Sequence, residues 1–188
     1  MYIKIKDYKK TDKPKIQLSV QRVEASVWFE MGFAKHHYLT QELNKSAKCF
    51  LFYWGDRIVG FCGVLNTPRK GGSNHCAISR LVVLPDFQGL GLGTKIANFI
   101  GGIFKNEGYE LFIVTANPAL GVYFDNSDKW MGTSRNHKGR KNTDDGSYKS
   151  RLSRVSYSHK YIGNPIDGYS YMMKTIGEMR KEKEKKEQ

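Results

Sequence analysis

The stretch that most constrains this chain is Ala77 to Asn98, AISRLVVLPDFQGLGLGTKIAN. Ile78, Leu81, Val82, Val83 and Leu84 form a short apolar run rich in β-branched residues, which suits a strand buried on both faces. Pro85-Asp86 ends it, because proline cannot donate to a sheet ladder. Glycine then recurs at 89, 91 and 93, and beyond Thr94 the spacing turns helical, with Ile96, Phe99, Ile100, Ile103 and Phe104 on one face. A strand feeding a glycine turn feeding a helix gathers backbone N–H groups in front of the helix N-terminus. That spot favours an anion, through donors with no intrahelical partner and the positive end of the helix dipole. Two phosphate motifs do not fit. No Gly-Lys-Ser/Thr closes the turn, and the glycines lack the G-x-G-x-x-G spacing of a dinucleotide loop.

Gln88, Gly91 and Gly93 do match a third pattern, Gln/Arg-x-x-Gly-x-Gly/Ala. The stretch resembles the pyrophosphate loop of the GNAT N-acetyltransferase superfamily. That resemblance implies acetyl-CoA as co-substrate, its pyrophosphate held by amides of Gln88, Gly89, Leu90, Gly91, Leu92, Gly93 and Thr94. It implies a bulged central strand, whose N–H groups near Leu81, Val82 and Val83 pair with the pantetheine arm and polarise the thioester carbonyl. It also puts Asn117 on the coenzyme. Leu90 and Leu92 read more simply, as residues that pack the loop or screen the coenzyme.

The chain has 188 residues, which makes one compact domain the default. No apolar run reaches the length of a membrane span and no apolar signal-peptide core opens the chain, so a cytoplasmic, membrane-free protein is expected. Cys49, Cys62 and Cys76 lack the paired spacing of a zinc site. They read as small core residues of a reducing compartment, with no metal site implied. A formal charge of +13 predicts attraction to polyanions, whether nucleic acid, acidic protein or the phosphates of a nucleotide cofactor.

Residues 1–15 read as a basic arm or edge strand, 16–175 as a single GNAT-like domain and 176–188 as a charged tail, either a solvated helix end or disordered. Ile16 to Val20 alternates as a first strand, and Ala25 to about Lys35 carries a broad aromatic face as a helix. Cys49–Trp54 and Arg57–Leu65 make a hairpin about Gly55-Asp56, and Asn66–Asn74 is a loop. After the organising unit, Gly108 stops the helix, Leu111–Thr115 is a strand and Asn117 opens a short helix through Phe124. Arg151–Ile162 alternates enough for a late strand. The order matches an α/β GNAT fold, a mixed central sheet flanked by helices, over roughly residues 16 to 130.

Acetyl transfer to an amine needs a placed carbonyl, an acceptor for the amine proton and an acid for the leaving thiolate. In the family the acid is often a tyrosine on the short helix, and Tyr123 holds that position four residues after Ala119. Its plain alternative is an amphipathic tyrosine capping the core. The chain departs from the family directly afterwards, reading Asp125-Asn126-Ser127-Asp128-Lys129-Trp130 in place of a Gly-Phe and a strand. The base is open. No glutamate lies between Glu42 and Glu107, which leaves His37, His75, Ser79 and Asp86. His36-His37-Tyr38 stands where GNAT enzymes build the acceptor pocket; within it His37 is the candidate base, whereas His36 and His75 read as surface or packing residues, and Asp86 as a turn cap. His36-His37-Tyr38 with the later Asn44-Lys45-Ser46-Ala47 resembles a phage- and prophage-encoded branch.

The acceptor implied is an amine, on a small molecule or a protein lysine. A phage-type enzyme modifying a nucleic-acid base is an alternative, as is a non-catalytic acyl-CoA- or DNA-binding protein on the same scaffold; oligomeric state is open. Residues 134–160 hold eight Lys/Arg against two Asp, so nucleic acid stays among the partners considered. If that segment engages phosphates, binding weakens linearly with salt on a log–log scale. Replacing Arg135, Arg140 and Lys141 together then lowers the slope for all sequences alike. Mobility-shift titrations at two salt concentrations check this. No retention by the parent at low salt removes nucleic acid from the partners.

Overall fold

Strand β2 (Lys48–Trp54) is buried without a break from Cys49 to Phe52, and its side chains alternate between two apolar clusters, which shows how the sheet is built. Cys49 and Leu51 pack on one face with Trp28, Phe33 and Phe61, while Phe50 and Phe52 pack on the other with Ile96, Ile100 and Phe104. A period of two with both faces covered gives a sheet between two apolar layers. The computed structural model describes residues 16–36, 42–67, 74–138 and 155–186. The basic arm, His37, and the middle of the 134–160 segment, Arg140 and Lys141 included, lie outside them.

The other strands are β1 (Ser19–Val23), β3 (Arg57–Asn66), β4 (His75–Val83), β5 (Glu110–Thr115), β6 (Trp130–Gly132) and β7 (Tyr157–Tyr161). They form one seven-stranded sheet in the order β1-β2-β3-β4-β5-β7-β6. Every pairing is antiparallel except β4 with β5. Helix α1 (Val27–Glu30) lies on one face, α2 (Leu92–Asn106) packs on the other, α3 (Pro118–Asp125) follows β5, and α4 (Ile176–Lys186) closes the described chain. This is the mixed sheet flanked by helices that the motif order implied.

Three elements differ in extent from the sequence reading. The first strand starts later, at Ser19, with Ile16 and Leu18 packing against the core as its lead-in. The helix expected from Ala25 to Lys35 stops after one turn, because Gly32 takes φ +70°. A 3-10 turn over Phe33–His36 follows, with the Phe33 ring centroid 5.3 Å from that of Phe61. The late strand is confined, among described residues, to Tyr157–Tyr161, and β6 pairs with it where no strand was foreseen.

In the central strand the register against β3 slips, with Gly63 opposite Arg80 and Val64 opposite Ile78. Ser79 is therefore an extra residue, a β-bulge. Its hydroxyl donates to the Gly63 carbonyl at 3.0 Å. The bulge also switches the phase of the strand. Cys76 and Ile78 face the α2 layer, and by alternation Val82 would too, yet Val82 packs with Trp28 on the other face and Leu81 and Val83 take the α2 side.

Helix α2 sits close against the sheet because it carries glycine where β7 passes. A Cβ on Gly101 would collide with the ring of Tyr161, itself only 6 % exposed. Alanine is the better helix former by about 1 kcal/mol, but forcing atoms into a filled core costs about 1–3 kcal/mol. Gly101→Ala is therefore expected to lower the urea midpoint, and a variant as stable as the parent would show that this contact is loose.

Candidate active site

The site begins where two strands part. β4 and β5 share a ladder only from His75 opposite Glu110 to Ile78 opposite Ile113. Beyond that point, among the described residues, β4 runs on to Val83 with β3 as its one strand partner. Parted parallel strands expose backbone groups that must find other partners. The opening is a cavity of about 610 Å3, with Leu81, Val82 and Val83 on one wall and Ile113, Val114 and Thr115 on the other.

The glycine turn closes one end. After a 3-10 turn at Pro85–Phe87, Gly89 and Gly91 take φ +78° and +72°. Gly91 is the N-cap of α2 and brings no side chain to cap it, and the helix ladder starts with Lys95 N–H on the Gly91 carbonyl at 3.3 Å. The amides of Leu92, Gly93 and Thr94 precede that first bond, so they belong to the helix N-terminus with no intrahelical acceptor. Gln88 ties the loop back by donating from Nε2 to the Val83 carbonyl at 3.0 Å, and Thr94 Oγ1 donates to Gly91 at 2.8 Å. A helix of this length places about half a positive charge at the turn, which suits a pyrophosphate.

Helix α3 supplies the other end. Asn117 Oδ1 accepts from the Ala119 and Leu120 amides at 2.9 and 3.3 Å, and Pro118 occupies the first turn, a firm start for a short helix. That carbonyl oxygen is committed to the helix, which leaves Nδ2 as the side-chain group Asn117 can offer a ligand. One turn on, the half-buried Tyr123 lines the cavity. Its hydroxyl accepts from Asn98 Nδ2 at 2.7 Å, and Asn98 Oδ1 accepts from the Trp130 indole at 2.7 Å. The C-terminal end of α3 is fixed to the sheet by Asp125, which bonds the buried His159 at 2.9 Å and Asn136 at 2.8 Å. Burial opposes the Asp125 charge, but those bonds and the nearby His137 outweigh it and hold the carboxyl below its ordinary range.

The three thiols stand away from this chemistry. Burial pushes Cys49 and Cys76 up to about 11 and Cys62 higher still, so all three stay protonated at neutral pH. Among the described residues no group of His, Cys, Asp and Glu is arranged to hold a metal ion.

A family model described as the acetyltransferase (GNAT) family matches residues 18–124. This chain belongs to the GNAT acetyltransferase family. Membership makes acetyl-CoA the co-substrate. The ribosomal-protein-S18-alanine N-acetyltransferase of Escherichia coli superposes with a TM-score of 0.53 at 12 % identity, over 82 % of this chain and 98 % of that one. Arabidopsis thaliana Naa50, solved with the bisubstrate analogue CoA-Ac-MVNAL, gives 0.53 at 17 % identity, over 78 % and 99 %. Spermidine N-acetyltransferase of Vibrio cholerae, solved with CoA and spermine, gives 0.55 at 10 % identity, over 78 % and 95 %. At such identities the likeness is one of fold. No curated protein sequence matches.

As a GNAT site, the cleft gathers nearly every residue singled out for the coenzyme. Leu81, Val82, Val83, Gln88, Gly89, Gly91, Leu92, Gly93, Thr94 and Asn117 all line it. Leu90 does not, and is 45 % exposed on the outside of the turn. The candidate bases separate. His75 is buried at the far end of β4, bonded to Thr67 and stacked on Phe112, whereas Ser79 lines the cleft with its hydroxyl donated to the Gly63 carbonyl at the bulge. Asp86 is exposed in the 3-10 turn. His36, read from sequence as a surface or packing residue, is exposed and also lines the cleft, because the break at Gly32 turns the chain so that the 3-10 segment ends there. Asn98 and Trp130 were not foreseen. The one signal was Asn98 itself, a polar residue set within the apolar run of α2.

The cradle gives a direct test. Gly91→Val puts a β-branched side chain at φ +72°, a region costing about 1–2 kcal/mol even for unbranched residues, and crowds the amides. Calorimetry is expected to show acetyl-CoA binding lost in a protein that still folds. Unchanged affinity in the folded variant would remove the pyrophosphate from this turn.

Proposed function

We propose that this chain is an N-acetyltransferase that moves the acetyl group of acetyl-CoA to an amine by direct attack on the thioester. The observation that carries it is the convergence of the loop, the parted strands and the Tyr123 side chain on one cleft. In this reading the Leu81–Val83 backbone amides hold the pantetheine arm and polarise the carbonyl, an effect worth about 10²–10³ in rate where such donors are removed elsewhere. The amine attacks the carbonyl carbon and its proton passes to His36, directly or through water. As the C–S bond breaks, its electron pair stays on sulfur and the Tyr123 phenol protonates it.

Direct attack is supported by the thiols, which are buried, protonated and outside the cleft, where an acyl-cysteine route would need one within it. An amine acceptor fits the proteins of the same fold, whose names specify the alanine of ribosomal protein S18 and spermidine. A single domain over 16–175 in a reducing cytoplasm completes the proposal.

The test is a screen for release of CoA thiol with spermidine, a peptide starting with alanine, a lysine peptide, RNA and DNA. Turnover with an amine is expected. Tyr123→Phe and His36→Gln should each lower it by about 10²–10⁴, with acetyl-CoA affinity kept. Full activity in the Phe variant would reduce Tyr123 to packing, and transfer only to nucleic acid would overturn the amine.

A further inference from the structure

We infer that Asn98, held by Trp130, sets the direction of the Tyr123 hydroxyl so that its proton is presented to the cleft. This makes Asn98 a positioning residue, and the inference rests on Tyr123 being the acid proposed above. The Trp130 indole Nε1–H can only donate. It meets the Asn98 carboxamide at 2.7 Å, so the atom facing it must be the carbonyl oxygen. Which end of an amide is which is ordinarily assigned from its neighbours, and here a donor-only neighbour decides it. The nitrogen of Asn98 therefore faces Tyr123 at 2.7 Å, and an amide nitrogen has no lone pair to accept with. The phenol oxygen must accept. Its own hydrogen is then unused by Asn98, on a side chain that lines the cleft.

The parts of this relay are well fixed. Trp130 is 4 % exposed, with ring centroids 4.6 Å from Phe124 and 5.2 Å from Tyr161, so the indole cannot turn away. Asn98 lies on α2 about two turns beyond Gly91, on the helix whose N-terminus seats the coenzyme. When the phenol proton moves to sulfur, the O–H electron pair remains on oxygen as phenolate. The Asn98 N–H already donates to that oxygen and becomes a charge-assisted bond without any group moving. Solvent then reprotonates the phenolate.

An isosteric change separates this role from a mere clip between α2, α3 and β6. In Asn98→Asp the carboxylate accepts from the indole and also from the phenol. Both bonds survive, but the phenol now donates to residue 98 and its proton leaves the cleft. The expected result is a fall in kcat of about ten- to a hundredfold, with KM for acetyl-CoA within about twofold of the parent. In a Tyr123→Phe background the same change is expected to do nothing further. Trp130→Phe, which frees the carboxamide to turn over, should lower kcat in the same way and serves if Asn98→Asp fails to fold. The readout is thiol release from acetyl-CoA with the amine used by the parent, or with water as the acceptor should no amine serve. Parental kcat in a folded Asn98→Asp or Trp130→Phe protein overturns the inference, as does an undiminished Asn98→Asp effect without the Tyr123 hydroxyl. If Tyr123→Phe is impaired while Asn98→Asp is not, only the positioning role falls. A fully active Tyr123→Phe takes down the acid and the relay together.

Discussion

The structure depends on one unmet obligation of the backbone. A strand in the middle of a sheet has donors and acceptors on both edges, and each needs a partner. β4 keeps its β3 partner to Val83 but loses β5 beyond Ile78. Leaving an edge open inside a fold is costly unless something fills it, and an extended molecule carrying amides and carbonyls along its length can do so. The pantetheine arm of acetyl-CoA is such a molecule. The bulge at Ser79 is how the chain reaches that arrangement, since the extra residue bends β4 while the Ser79 hydroxyl repairs the ladder on the β3 side.

Much of this was legible because the strand, turn and helix of residues 77–98 announce themselves by composition. Proline ends the strand, glycine permits positive φ, and the apolar spacing changes from strand to helix within a few residues. The hairpin and the Asn117 cap were equally readable, each resting on a local rule of turn or cap chemistry. What stayed hidden has a common cause. The phase switch at Ser79 is invisible in Leu81 to Leu84, since a run apolar on both faces looks the same in either phase. The helix expected through Lys35 failed at Gly32, where a single left-handed residue outweighed a plausible periodicity. Trp130 read as the point where the family likeness gave out, because a three-residue edge strand has too little pattern to detect. Its bond to Asn98 joins residues far apart in the chain, and no local rule reports such contacts.

The placement of α3 shows how a short helix of modest amphipathicity becomes a rigid support. Its first turn is capped by Asn117, its middle approaches β7 so closely that Gly121 has no room for a side chain against Tyr157, and its end is held by Asp125 on His159. A helix of eight residues is marginal by itself. Three anchors along its length leave Tyr123 little freedom.

One feature of α2 bears on how sequences of this kind can change over time. The glycine cap and Asn98 stand on the same continuous helix, so their separation and relative angle are set by helical geometry and by nothing adjustable. Substitution within that span alters a side chain at a time and can be absorbed. Insertion or deletion of a single residue cannot, because it rotates everything beyond it by about 100° and would carry Asn98 off the face that meets Tyr123. The two turns between them thus form a stretch of fixed length, in which drift is permitted in spelling but not in count.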